Sequence, residues 1–159
     1  KIGDECYGPI QITVEPWSGT GPGVAPHVEV YQAANQSLAS NTWNTLVSMA
    51  VKTNLGGGSF SAGTYTVPVA GRYAVSLNTG LNVASGVSII AGIAVNGVIQ
   101  LEGNPITGRG VYAGSVVSGV LNLAAGTSLS LRLYAYGTPT LEPGARTRSV
   151  TATISYLGA

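Results

Sequence analysis

The stretch Ser128-Leu129-Ser130-Leu131-Arg132-Leu133-Tyr134-Ala135-Tyr136 decides the fold. Its apolar residues fall on every second position. Leu129, Leu131, Leu133 and Ala135 share one parity; Ser128, Ser130, Arg132, Tyr134 and Tyr136 share the other. Successive side chains of a strand point to opposite faces, whereas a helix would repeat its apolar positions every three or four residues. The stretch therefore reads as a β-strand with one face in a core.

Two further stretches carry the same period. Val150, Ala152, Ile154 and Tyr156 alternate with Thr151, Thr153 and Ser155, and Tyr73, Val75 and Leu77 alternate with Ala74, Ser76 and Asn78. The expected core is therefore Tyr73, Val75, Leu77, Leu129, Leu131, Leu133 and Ile154. Turn chemistry separates the strands. Asn96-Gly97 between two apolar runs is a hairpin signal, because both residues tolerate positive φ. Ala70-Gly71-Arg72 and Ala125-Gly126-Thr127 break other runs. Pro68 has no N–H for a ladder and belongs at an edge or a strand end. No stretch reads as an amphipathic helix; Asn35–Trp43 is too polar. Short strands at this spacing predict an all-β, antiparallel jelly-roll β-sandwich of about eight to ten strands.

The domain boundary is expected near Pro26. Pro16-Trp17-Ser18-Gly19-Thr20-Gly21-Pro22-Gly23-Val24-Ala25-Pro26 is too rich in Gly and Pro for regular structure. Residues 1–26 read as an irregular N-terminal extension, the stub and linker of an upstream attachment region. Residues 27–159 read as the globular head, and Thr151–Leu157 as its closing strand.

Composition limits the chemistry. Charged residues are 8% of the chain and apolar residues 45%, with 23 glycines and a net charge of +1. A typical soluble domain is about a quarter charged. So neutral a surface suits a protein that buries faces against copies of itself. No basic stripe exists for nucleic acid, since Arg146 and Arg148 are the closest cations. The apolar runs are far shorter than the roughly 20 residues of a membrane-spanning helix.

Cys6 is the only cysteine and His27 the only histidine. Ser–His and Cys–His catalysis therefore lack material. The acids of residues 27–159 are Glu29, Glu102 and Glu142, far apart in sequence. They give no carboxylate pair for glycoside hydrolysis and too few ligands for zinc or calcium. No catalytic residue, metal site or cofactor is expected. The stretches Gly56–Ser59 and Gly103–Gly110 lack the Gly-Lys-Ser/Thr ending of a phosphate-binding loop.

The stretch Gly63-Thr64-Tyr65-Thr66-Val67-Pro68-Val69-Ala70-Gly71-Arg72-Tyr73 resembles the signature of the complement component 1q and tumour necrosis factor-like globular heads. Other pieces follow in that family's order. Gln36-Ser37-Leu38 and Thr42-Trp43 resemble its first strand pair, Ile93-Ala94-Val95-Asn96-Gly97 its hairpin, and Leu121–Thr127 a turn in which Thr127 replaces the usual Asp. The resemblance implies a non-enzymatic jelly-roll head that assembles as a homotrimer. The low charge, the glycine content and the Val69-Ala70-Gly71-Arg72-Tyr73 wording resemble bacteriophage versions from tail fibres, minor tail proteins and head decorations.

A trimeric virion tip that contacts the host surface is the reading this favours, with residues 1–26 attached to neighbouring virion proteins. A capsid decoration or head fibre with a purely structural role, and a secreted adhesion or signalling head, are the alternatives. The expected location is the virion surface, on tail or capsid, and otherwise extracellular. Arg109, Tyr112, Arg146 and Arg148 stand in the two long Gly- and Pro-rich connections, 101–112 and 137–148, and are the expected contacts to a host glycan or protein. Tyr134, Tyr136 and Tyr156 are the expected trimer interface.

Overall fold

The computed structural model describes residues 23–82, 86–108, 112–141 and 150–159. Every regular element in them is a strand. In chain order these are β1 (His27–Gln32), β2 (Gln36–Ser37), β3 (Thr42–Thr45), β4 (Met49–Leu55), β5 (Ser59–Ser61), β6 (Thr64–Thr66), β7 (Gly71–Asn78) and β8 (Leu81–Asn82). They continue with β9 (Ser88–Val95), β10 (Val98–Glu102), β11 (Ile106–Thr107), β12 (Tyr112–Ala113), β13 (Val116–Leu123), β14 (Ser128–Tyr136), β15 (Thr140–Leu141) and β16 (Thr151–Gly158).

Two antiparallel sheets form the sandwich. The first runs β13-β7-β16-β1-β4, and the second runs β10-β9-β14-β6-β5, with β3 continuing the β6 side of β14 and β11 beside β9. The first and last long strands pair from His27↔Ser155 to Tyr31↔Thr151. The Pro26 carbonyl already accepts from the Tyr156 amide at 2.8 Å, so the sheet begins where the Gly/Pro stretch ends. The rest of the expected stub and linker, residues 1–22 with Cys6, lies outside the described residues.

The core fills the gap between the sheets. β7 and β16 contribute Tyr73, Val75, Leu77, Ala152 and Ile154; β14 and β9 contribute Leu129, Leu131, Leu133, Ile89, Ala91 and Ile93. Of the seven core residues expected from sequence, none is more than 3% exposed. Strand β9, Ser88–Val95, lacks alternation because it is covered on both faces: Ile89, Ala91 and Ile93 point into the core, and Ile90, Gly92 and Ala94 are also buried.

The Asn96-Gly97 hairpin joins β9 to β10 with φ of 48° and 86°, the mirror-image turn that matches strand twist. Asn96 ties it to β14, its Oδ1 accepting from the Ser128 amide at 3.0 Å. Pro68 lies just beyond the end of β6.

One expectation is corrected. Residues 36–38 and 42–43 do not form a strand pair with each other: β2 pairs β15, and β3 pairs β14. The connections 101–112 and 137–148 contain the two-residue strands β11, β12 and β15.

Leu131 is fully buried at the middle of β14. Leu131→Ala is expected to lower unfolding free energy by about 2–5 kcal/mol in denaturant titration, from lost transfer energy plus a cavity. Tyr65 is also fully buried, and its hydroxyl has no hydrogen-bond partner among the described residues. Burial pushes its pKa up to about 12 from 10.0. The folded phenol therefore holds its proton more tightly than the unfolded one, and this stabilisation is lost as pH rises from about 10 toward 12. Thermal melts across that range should fall in the wild type and fall less steeply in Tyr65→Phe.

Candidate interaction surfaces

The connection 101–112 is anchored by a buried polar knot. The Thr79 hydroxyl donates to the Ser115 carbonyl at 2.7 Å and accepts from the Ser115 amide at 2.9 Å. The Ser115 hydroxyl donates to the Asn104 carbonyl at 2.9 Å and accepts from the Ala91 amide at 3.0 Å. Asn104 and Ser115 bracket the connection that carries Arg109 and Tyr112. Gly108 is held to Val87 and Gly86 by backbone hydrogen bonds of 2.8 and 3.1 Å. Tyr112 pairs through its backbone with Asn82. Arg109, Arg146 and Arg148 lie outside the described residues. The knot had no signal in the sequence: a Thr and a Ser 36 positions apart carry no shared pattern.

The outer face of the first sheet is flat and nearly uncharged at its centre. Ala74, Ser76, Ser118, Val120, Thr153 and Ser155 line a shallow depression of about 360 Å³. Val116, Val120 and Leu157 stand more than half exposed, on strands at and beside this centre. The charged residues lie away from this centre, Glu29 and Lys52 on β1 and β4 and Arg72 at the start of β7. Lys52 Nζ lies 3.1 Å from Glu29, and this hydrogen bond and charge hold the Glu29 carboxyl below its usual range. His27 Nδ1 is 2.9 Å from Ser155 Oγ, and its Nε2 is 3.7 Å from Glu29.

The outer face of the second sheet is aromatic. Cross-strand register places Trp43, Tyr134 and Ile90 in one row and Thr45, Arg132, Gly92 and Glu102 in the next. The Trp43 ring reaches over β14 and lies against Gly92, where any Cβ would meet it. The turn before Trp43 is braced by Asn44, which accepts from the Ala39 amide at 2.8 Å and donates to the Ala39 and Thr42 carbonyls at 2.9 and 3.0 Å. Tyr134 stands edge-on to Trp43 at 5.5 Å, and Tyr136 is tilted against Tyr134 at 4.9 Å.

The expected interface trio is thus divided between two surfaces. Tyr134 and Tyr136 belong to this second-sheet cluster. Tyr156 points with Ala152 and Ile154 to the inner side of the first sheet and packs edge-on against Tyr73 at 5.3 Å. The tyrosines were visible in the sequence, but Trp43 as their neighbour was not, because it sits on a four-residue strand with no period of its own.

Among the described residues no three His, Cys, Asp or Glu side chains come together, and no helix is long and apolar enough to cross a membrane.

No protein-family signature matches the chain, and no curated protein does. Solved structures do. Murine APRIL at pH 8.0 superposes with a TM-score of 0.61 over 83% of this chain and 98% of its own, at 11% identity. Murine APRIL at pH 5.0 gives a TM-score of 0.64 over 84% and 99%, at 9% identity. Eiger TNF from S. frugiperda gives 0.63 over 85% and 95%, at 10% identity.

The fold is a tumour-necrosis-factor-like jelly roll. At these identities the likeness lies in the path of the chain, and the surfaces described above are this chain's own.

Ser115→Ala would leave the Ala91 amide and cut the tie to the Asn104 carbonyl. A loss of about 1–3 kcal/mol in unfolding free energy is expected. Amide hydrogen exchange should also accelerate in residues 104–108 while β14 stays protected.

Proposed function

We propose that this jelly roll is a non-enzymatic recognition head that works as a homotrimer. In this reading the outer face of the first sheet is buried between copies, and the connections 101–112 and 137–148 are turned to a target. The single observation that carries it is the flat first-sheet face. Five strands about 4.8 Å apart, each rising about 3.3 Å per residue, span roughly 600 Å² in the plane. A stable interface takes about 800 Å² of accessible surface per partner, so this face is of the same order. Its centre buries small and apolar groups with no charge to strand. The resemblance of Gly63–Tyr73 to complement component 1q and tumour necrosis factor-like heads supports threefold assembly.

The same reading places the head on a virion surface, at the tip of a tail fibre or minor tail protein, with residues 1–26 joined to neighbouring virion proteins. The 8% charge, the 23 glycines and the Val69–Tyr73 wording support it. Arg109, Tyr112, Arg146 and Arg148 would then meet a host glycan or protein. Arg offers several donors in a fixed planar fork, and threefold repetition adds weak contacts through avidity.

Two sets of variants test this. Ser76→Arg places a charge at the centre of the flat face, where burial without a partner is costly. Sedimentation should then show monomers with an unchanged circular dichroism spectrum. Arg109→Ala with Arg146→Ala should leave the trimer intact and reduce adsorption to host cells. A Ser76→Arg protein that still sediments as the wild type, or adsorption unchanged by the double variant, contradicts the corresponding half of the proposal.

A further inference from the structure

The trimer proposal leaves the aromatic face of the second sheet unused. Three partly or largely exposed rings meet there, with Tyr136 47% exposed. The rings are not stacked flat: Trp43 and Tyr134 are inclined by 75°, Tyr134 and Tyr136 by 56°. Around them lie groups that form polar contacts. Arg132 Nε is buried without a hydrogen-bond partner among the described residues, Glu102 is exposed in the same row, and Ser88 Oγ and Thr107 Oγ1 form an exposed pair at 2.7 Å in the row of Tyr136.

We propose that this face binds the pyranose rings of a glycan, with Tyr136, Tyr134 and Trp43 as the stacking residues. A sugar ring has an apolar face of C–H groups and a rim of hydroxyls. Aromatic side chains with polar handles match the first. Arg132, Glu102 and the Ser88–Thr107 pair offer donors and acceptors for the second. A second copy of the chain is the weaker fit. A dry protein contact would strand Arg132 and Glu102 without partners. The backbone prepares the site: Gly92 lets the Trp43 ring lie close to the sheet, and Asn44 fixes the turn that delivers it. This inference goes beyond the trimeric-head proposal and does not depend on it.

Trp43 is its own reporter. In a Trp17→Phe chain it is the only tryptophan. Its emission is followed while oligosaccharides of N-acetylglucosamine, of glucose and of mannose are added, each alone. At least one should change the emission saturably, with a Kd of about 1 mM or tighter. Tyr136→Ala should weaken that binding about tenfold, whereas Tyr136→Phe, which keeps the ring, should retain most of it. Tyr136 is exposed, so its substitution leaves the fold intact, and an unchanged melting temperature verifies this. The proposal is overturned if no sugar acts at about 10 mM. It is overturned equally if binding survives Tyr136→Ala, or if Tyr136→Ala instead dissociates the assembly, which would make this face a contact between copies. None of these results bears on whether Ser76→Arg yields monomers, so the two proposals fail separately.

Discussion

Strand β14 is hydrogen-bonded along both edges, to β9 on one side and to β6 and β3 on the other, and four of its nine side chains are fully buried. A shift of one residue would turn Leu129, Leu131, Leu133 and Ala135 outward and bring Ser130, Arg132 and Tyr134 into the core. Each buried leucine contributes about 1.5–3 kcal/mol by leaving water, so a slip would forfeit several times that. The register of β14 is therefore strongly set, and its neighbours inherit theirs from it. The inner face of β14 needs a second sheet to cover it, and Tyr73, Val75, Leu77 and Ile154 supply that cover.

The same register produces the surfaces. Because Leu133 must point inward, Tyr134 points outward, opposite Trp43 on β3 and Ile90 on β9. Because Val75 and Ile154 must point inward, Ser76, Thr153 and Ser155 point outward and make the first sheet flat. Core and surface are two sides of one alternation. The chain thereby presents one small-residue face and one aromatic face on opposite sides of a single sandwich. In the two proposals made above, that division assigns self-association and glycan binding to different residues.

Long strands were legible in the sequence because a period of two repeats often enough over eight or nine residues to stand out. Ser128–Tyr136, Thr151–Tyr156 and Tyr73–Asn78 are of this kind, and the Asn96-Gly97 turn declares itself through its positive φ. Strands of two to four residues have no measurable period. Thr42–Thr45 could be seen as extended but not assigned its partner, which lies about 90 positions away. Strand β9 conceals its alternation because both faces are covered. The tyrosines of the candidate surfaces could be chosen from sequence by their parity. Which of them share a surface could not, because parity within one strand says nothing about which sheet the strand joins. Tyr156 shares the parity of Ala152 and Ile154, and Tyr134 that of Ser130 and Arg132, and the fold turns them to inner and outer faces accordingly.

The central claim is that alternation leaves the first sheet with an outer face made for copies of the chain. Hydroxyl-radical footprinting in solution at micromolar concentration tests it most directly. Val116, Val120 and Leu157 are exposed in the single chain, as is Val98 at the β9–β10 hairpin. The account predicts that Val116, Val120 and Leu157 are protected while Val98 reacts freely, and that dilution to monomers removes the protection. Equal reactivity of all four residues at every concentration would contradict it.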